Sequence, residues 1–115
     1  MKDFAAEWEA AWNAHDLDRI LSHYAEDVVF RSAKAVATVG TGVIEGKAAL
    51  REYWAAALTR QPDLAFSVIE VFEGHGMLVI LYVNQVGRRA TETLRFGADG
   101  LVVEASACHG EGAFT

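Results

Sequence analysis

Residues 65–72, 77–86, 89–96 and 101–108 are four β-type runs rich in Val, Ile, Phe and Thr, separated by "EGHG", "GR" and "GADG". Connections that short permit only antiparallel neighbours, so the second half of the chain is a meander with one face to bury. Its cover has to come from the first half. There Phe4, Trp8, Ala11, Trp12 and His15 recur at three- and four-residue spacing, opposite Glu7, Glu9 and Asn13, which predicts an amphipathic helix with Asp3 as N-cap. "HD" interrupts the period, and Asp16 then caps a shorter helix with Leu17, Ile20, Leu21 and Tyr24 turned inward. "EDVVFRS" switches to a first strand. "EGKAALREYWAAALTRQPD" makes a third helix, with Leu50, Tyr53, Trp54 and Leu58 on its apolar side and Gln61-Pro62 at its end. Residues 33–42, small and glycine-bearing, are open between an extra hairpin and a mobile lid.

Helices first and strands afterwards is the α+β class: a curved antiparallel sheet packed against three N-terminal helices and enclosing a pocket, with residues 1–115 as one domain. A 52% hydrophobic fraction and a mean hydropathy of +0.14 are high for a chain of 115 residues. They fit an apolar cavity or a buried subunit interface. A net charge of -6 with ten Lys and Arg argues against nucleic acid and anionic membrane surfaces as partners, and leaves small neutral or cationic ligands. "MLVILYV", residues 77–83, is too short for a membrane span of about 20 apolar residues. Cys108, the single cysteine, has no internal partner and the chain opens on no leader-like segment, so a cytoplasmic location is expected. His15, His23, His75 and His109 lack metal-ligand spacing, and no cofactor or metal is expected.

Strand alternation then selects candidate groups. Taking Gly87 and Arg88 as a two-residue turn pairs Val83 with Glu92 and Leu81 with Leu94. One face then carries Leu81, Val83, Gln85, Ala90, Glu92, Leu94 and Phe96. The other carries Tyr82, Asn84, Arg89, Thr91, Thr93 and Arg95, turned to solvent or a partner subunit. A carboxyl at Glu92 on the apolar face would have a raised pKa and could act as an acid near neutral pH; the alternative is a rim ion pair with Arg31. The last hairpin adds Ala105, Ala107 and His109 to that face and turns Cys108 outward. His109, opposite residue 88, is a candidate base or ligand-orienting group, or else the frayed end of the last strand. Trp8, Trp12, Phe30, Tyr53 and Trp54 are pocket walls or core, and Ser32 is a hydrogen-bond donor with no base beside it. His15 and Asp16 read as a helix corner, Glu26 and Asp27 as a solvated pair.

Together, "AWNAHDLDRILSHYAEDVVF", "IEGKAALREYW" and "TLRFGADGLVVEASACHG" resemble the nuclear transport factor 2 superfamily in its SnoaL-like and ketosteroid-isomerase-like branch, over nearly the whole chain. The resemblance implies a cone-shaped α+β fold with a deep pocket and homodimers through the outer sheet face. It leaves the activity open, because the same cone hosts isomerases, cyclases, hydrolases, dehydratases and binding modules. Ketosteroid isomerases place a Tyr on the first helix, an Asp base at the end of the first strand and a protonated Asp in a later strand. The resemblance puts Trp8, Ser32 and Glu92 at those positions and His109 where the isomerases have a pocket aromatic, which argues against steroid isomerisation. Neither the Asp of SnoaL-type cyclases nor the Asp-Arg-Asp set of limonene-epoxide hydrolases is found.

The expectation is a cofactor-independent, small-molecule-binding homodimer. Its chemistry would be isomerisation, dehydration or cyclisation, with Glu92 as proton donor or oxyanion partner and His109 as base or orienter. Trp8, Trp12, Phe30, Ser32, Trp54, Leu81 and Val83 would surround the ligand. The competing expectation is a non-catalytic dimerisation module whose cavity is filled by its own side chains.

Overall fold

The periodicities produce the elements expected of them, and the loops decide how those elements face. In a computed structural model describing residues 2–110, Lys2 by its backbone only, helix α1 spans Lys2–Asn13 and α2 spans Leu17–Leu21. Asp3 therefore lies within the first turn of α1. The corner between the helices forms as its residues dictate: His15 takes φ 55°, and the Asp16 carboxylate accepts the Arg19 N–H as N-cap of α2. His15 Nε2 also lies 2.8 Å from the Leu64 carbonyl, tying the corner to the start of the sheet.

Strand β1, Tyr24–Ser32, is followed not by a hairpin but by a one-turn helix, α3, Ala35–Val39. Buried Ala35 anchors α3, and Gly40 at φ 80° closes it, a left-handed conformation that suits glycine. The three-residue strand β2, Val43–Glu45, precedes α4, Lys47–Arg60. The helices thus number four among the described residues, because the small residues 35–39 suit a helical turn as well as a strand. Strands β3, Phe66–Gly74, β4, Met77–Asn84, β5, Arg89–Phe96, and β6, Val102–His109, form the predicted meander.

The sheet order is β2-β1-β6-β5-β4-β3. One pairing departs from the all-antiparallel expectation: β1 runs parallel to β6, with Phe30 beside Ala105. A helix-bearing crossover between them permits this. Bulges at Ile69 in β3 and near Phe96 bend the ribbon toward the helices. Asn13 grips the edge strand, donating to the Phe66 carbonyl at 2.9 Å and accepting the Phe66 N–H at 2.7 Å, while Glu9 accepts the Val68 N–H. One turn of α1 separates these two residues, so the helix carrying Trp8 and Trp12 is held in fixed register over the sheet.

The β4–β5 connection corrects the predicted register. The turn is not Gly87-Arg88 alone: Asn84 Oδ1 accepts from the N–H groups of Val86 and Arg88, and Gly87, at φ 81°, donates to the Asn84 carbonyl. Glu92 consequently pairs with Ile80, not Val83, and Ala90 with Tyr82. A slip of three residues along β4 exchanges its faces. Leu78, Ile80 and Tyr82 point into the core, and Leu81 and Val83 point away from it. In the last hairpin Glu92 pairs with Ala107, and His109 stands opposite Ala90, not residue 88; this slip of two residues keeps Ala105, Ala107 and His109 on the face of Glu92.

Candidate functional site

Between the helices and the concave face of the sheet lies an open cavity of about 120 Å³, room for on the order of ten waters. Its walls are aromatic. Trp8 stacks on Phe66 with ring centroids 5.5 Å apart and meets Tyr82 edge-on at 5.0 Å. Trp54 meets Trp12, Tyr24 and Phe30 edge-on at 5.0, 5.2 and 5.4 Å. These contacts exist because α1 offers Trp8 and Trp12 one turn apart on its buried stripe, and α4 offers Tyr53 and Trp54 opposite them.

Of the residues singled out from sequence, Glu92, His109, Trp8, Trp12, Phe30, Ser32 and Trp54 all line this cavity. Leu81 and Val83 do not, for the register reason above. The residue that takes their place is Tyr82, with Asn84 above it. The signal for Tyr82 was present in "NQVGR": an Asn followed three residues later by Gly favours a longer turn closed on the Asn side chain. Lys34 and Arg88 also line the cavity and were not among the sequence candidates.

Glu92 is the one carboxyl among the described lining residues, 5% exposed, with Arg31 directed instead to Glu104 on the other face. Burial pushes its pKa up to about 8, so the group is a neutral acid at neutral pH. Its surroundings are phenolic. Burial raises the pKa values of Tyr24, Tyr53 and Tyr82, and a charge on Glu92 raises each further, so all three hydroxyls remain protonated and near it. The Ser32 hydroxyl opposes the rise at Tyr53.

His109 has the opposite displacement. Burial, then the charge of Lys34, lowers its pKa to about 4, leaving a neutral imidazole. Glu92 therefore holds its proton against His109: the carboxylic acid is a hydrogen-bond donor, and the ring is a poor proton acceptor at neutral pH.

Three buried polar atoms of the core have no hydrogen-bond partner among the described residues: Trp8 Nε1, Trp12 Nε1 and the Tyr24 hydroxyl. The Trp8 N–H is near enough to temper the Tyr24 pKa but is not in bonding geometry with it. Buried donors without acceptors cost roughly 1–3 kcal/mol each.

Fold and cavity together define an α+β cone whose aromatic pocket holds one neutral carboxylic acid. The chain belongs to the SnoaL-like domain family, whose profile it matches over residues 5–105. A SnoaL-like protein of unknown function from Burkholderia thailandensis is 42% identical, with 95% of this chain and 93% of that chain covered and a TM-score of 0.90. TerC, crystallised with polyporic acid, is 18% identical with a TM-score of 0.78, covering 96% and 91% of the two chains. A putative polyketide cyclase from Sinorhizobium meliloti is 15% identical with a TM-score of 0.75, covering 91% and 93%. No curated protein matches. No helix of the described residues is long and apolar enough to cross a membrane.

Proposed function

We propose that this chain binds a small organic molecule in the cone and acts on it without a cofactor, with Glu92 as proton donor or oxyanion partner. The carrying observation is a buried, neutral carboxylic acid on the wall of an open cavity. A ligand carbonyl on the cavity wall would accept from the Glu92 acid. Charge developing on that oxygen, as in isomerisation, dehydration or cyclisation, is then stabilised by a donor already in place. His109, neutral and half-buried, suits the role of orienting a ligand group better than that of a base. The neighbour TerC, of the same fold, was crystallised with polyporic acid, a small organic molecule. A module with a self-filled interior fits poorly with a cavity of about 120 Å³.

Native mass spectrometry of freshly purified protein should reveal a retained organic molecule. With that molecule as probe, Glu92→Gln should keep binding and lower turnover about 100- to 1000-fold. A bare chain that also takes up no aromatic ketone would end this reading.

The outer sheet face supports the homodimer part of the proposal. With β4 reversed, that face presents Val79, Leu81 and Val83 beside Phe72, which is 49% exposed. It is more apolar than the sequence implied, and a second copy is a fitting cover. Sedimentation at micromolar concentration should give a dimer, and Phe72→Glu should shift it toward monomer. A wild-type monomer would refute the assignment. The lone exposed Cys108 is compatible with the expected reducing location.

A further inference from the structure

We propose that the cavity selects an organic anion, with its apolar body among the aromatics and its negative group at the mouth between Lys34 and Arg88, beside His109. The inference rests on the ligand-binding reading above and adds the charge of the ligand to it.

The chain has sixteen Asp and Glu against ten Lys and Arg, so a cationic rim is not what its average surface would supply. Several cations elsewhere are matched to carboxylates, while Arg60 donates to the Thr38 hydroxyl. Arg19 binds Glu7, Arg51 binds Asp18, Arg95 binds Glu104 and Lys47 approaches Glu26. Lys34, immediately after β1, Arg88, in the β4–β5 loop, and His109, near the end of β6, meet at one end of the sheet. Lys34 forms no ion pair among the described residues.

Lys34 and Arg88 are close enough for the second charge to lower the pKa of the first, in addition to the effect of burial. The Lys34 charge in turn opposes protonation of His109. Two like charges are therefore held near each other, Lys34 partly buried and Arg88 exposed, and a third is kept off. An anion seated there reverses the sign of all three interactions at once. Among the described lining residues there is no ionised carboxylate, since Glu92, the one acid there, is neutral at neutral pH. The cavity of a chain with net charge -6 is thus electropositive. It discriminates against the organic cations that composition alone would have admitted. The same geometry orders the ligand: an acceptor oxygen at Glu92, an ionised acid at the mouth, and an apolar frame between.

Isosteric probes test this directly: 2-naphthoate, ionised, and 2-naphthamide, neutral, followed by tryptophan fluorescence and calorimetry on the full chain at pH 7. Wild type should bind the naphthoate at least about tenfold more tightly, the size of one charge-assisted hydrogen bond. That preference should collapse toward unity in Lys34→Met and survive in Lys34→Arg, and 0.5 M salt should erode it. The His109 pKa, read by NMR, should rise with naphthoate bound and stay low with naphthamide. Equal binding of the two probes by wild type would overturn the inference while leaving the ligand-binding reading intact. A preference undiminished in Lys34→Met would overturn the assignment of the anion to this edge. Failure of both probes to bind would remove the ligand-binding reading and the inference with it.

Discussion

Glu92→Gln stabilises the protein at pH 8.5 by roughly 3–5 kcal/mol and leaves it nearly unchanged at pH 4. The effect follows from linkage. Glu92 titrates near 4.5 when unfolded and near 8 when folded, so between those values the unfolded chain has released a proton that the folded chain still holds. The folded state binds more protons, and wild-type stability therefore falls as pH rises through that window. A shift of this size corresponds to roughly 5 kcal/mol if realised in full, and about 1.4 kcal/mol per pH unit along the way. Glutamine keeps the shape and has nothing to ionise. His109 acts with the opposite sign: its pKa is lowered from 6.5 to about 4, so its contribution is present above 6.5 and is lost as pH falls toward 4. The two slopes oppose each other below 6.5 and leave Glu92 alone above it. Urea unfolding of both proteins from pH 4 to 9 gives the difference curve. A difference that stays flat with pH, or an NMR midpoint for Glu92 at the ordinary carboxylate value, would refute the buried neutral acid.

Trp54→Ala should cost about 3–5 kcal/mol, the range for removing a large buried aromatic. Trp54 is 4% exposed and is the one residue whose ring meets aromatics from α1 and from β1, namely Trp12, Tyr24 and Phe30. Each such edge-to-face contact adds about 0.5–1.5 kcal/mol beyond area burial. Because the ring also forms a cavity wall, its loss enlarges an existing void instead of allowing collapse. Added indole should then raise the melting temperature of the variant more than that of wild type. A loss under about 1 kcal/mol would show that α4 is held by other contacts.

Element identity was readable because hydrophobic spacing is a local property. The aromatic stripe of α1, the capping role of Asp16 and the end of α4 at Gln61 are all consequences of a few adjacent residues. The site was readable where it depended on alternation within one hairpin, as for Glu92 and His109. It was not readable where it depended on the length of a turn. Whether Leu81 or Tyr82 faces the cavity is settled by two hydrogen bonds to Asn84 Oδ1, and an odd slip inverts the strand. Lys34 escaped for another reason. It lies in the stretch of small residues whose conformation is set by packing of Ala35 and by the route from β1 to β2, not by any period of its own.

The two borders of the sheet bear on how copies of this chain can meet. At one border β2 offers only three residues, too short to template another strand. At the other, the N–H groups of Phe66 and Val68 are already occupied by Asn13 and Glu9, and Ile69 interrupts the ladder with its bulge. Fibre-like, strand-by-strand growth is thereby hindered at both borders, by shortness at one and by occupied N–H groups and a bulge at the other.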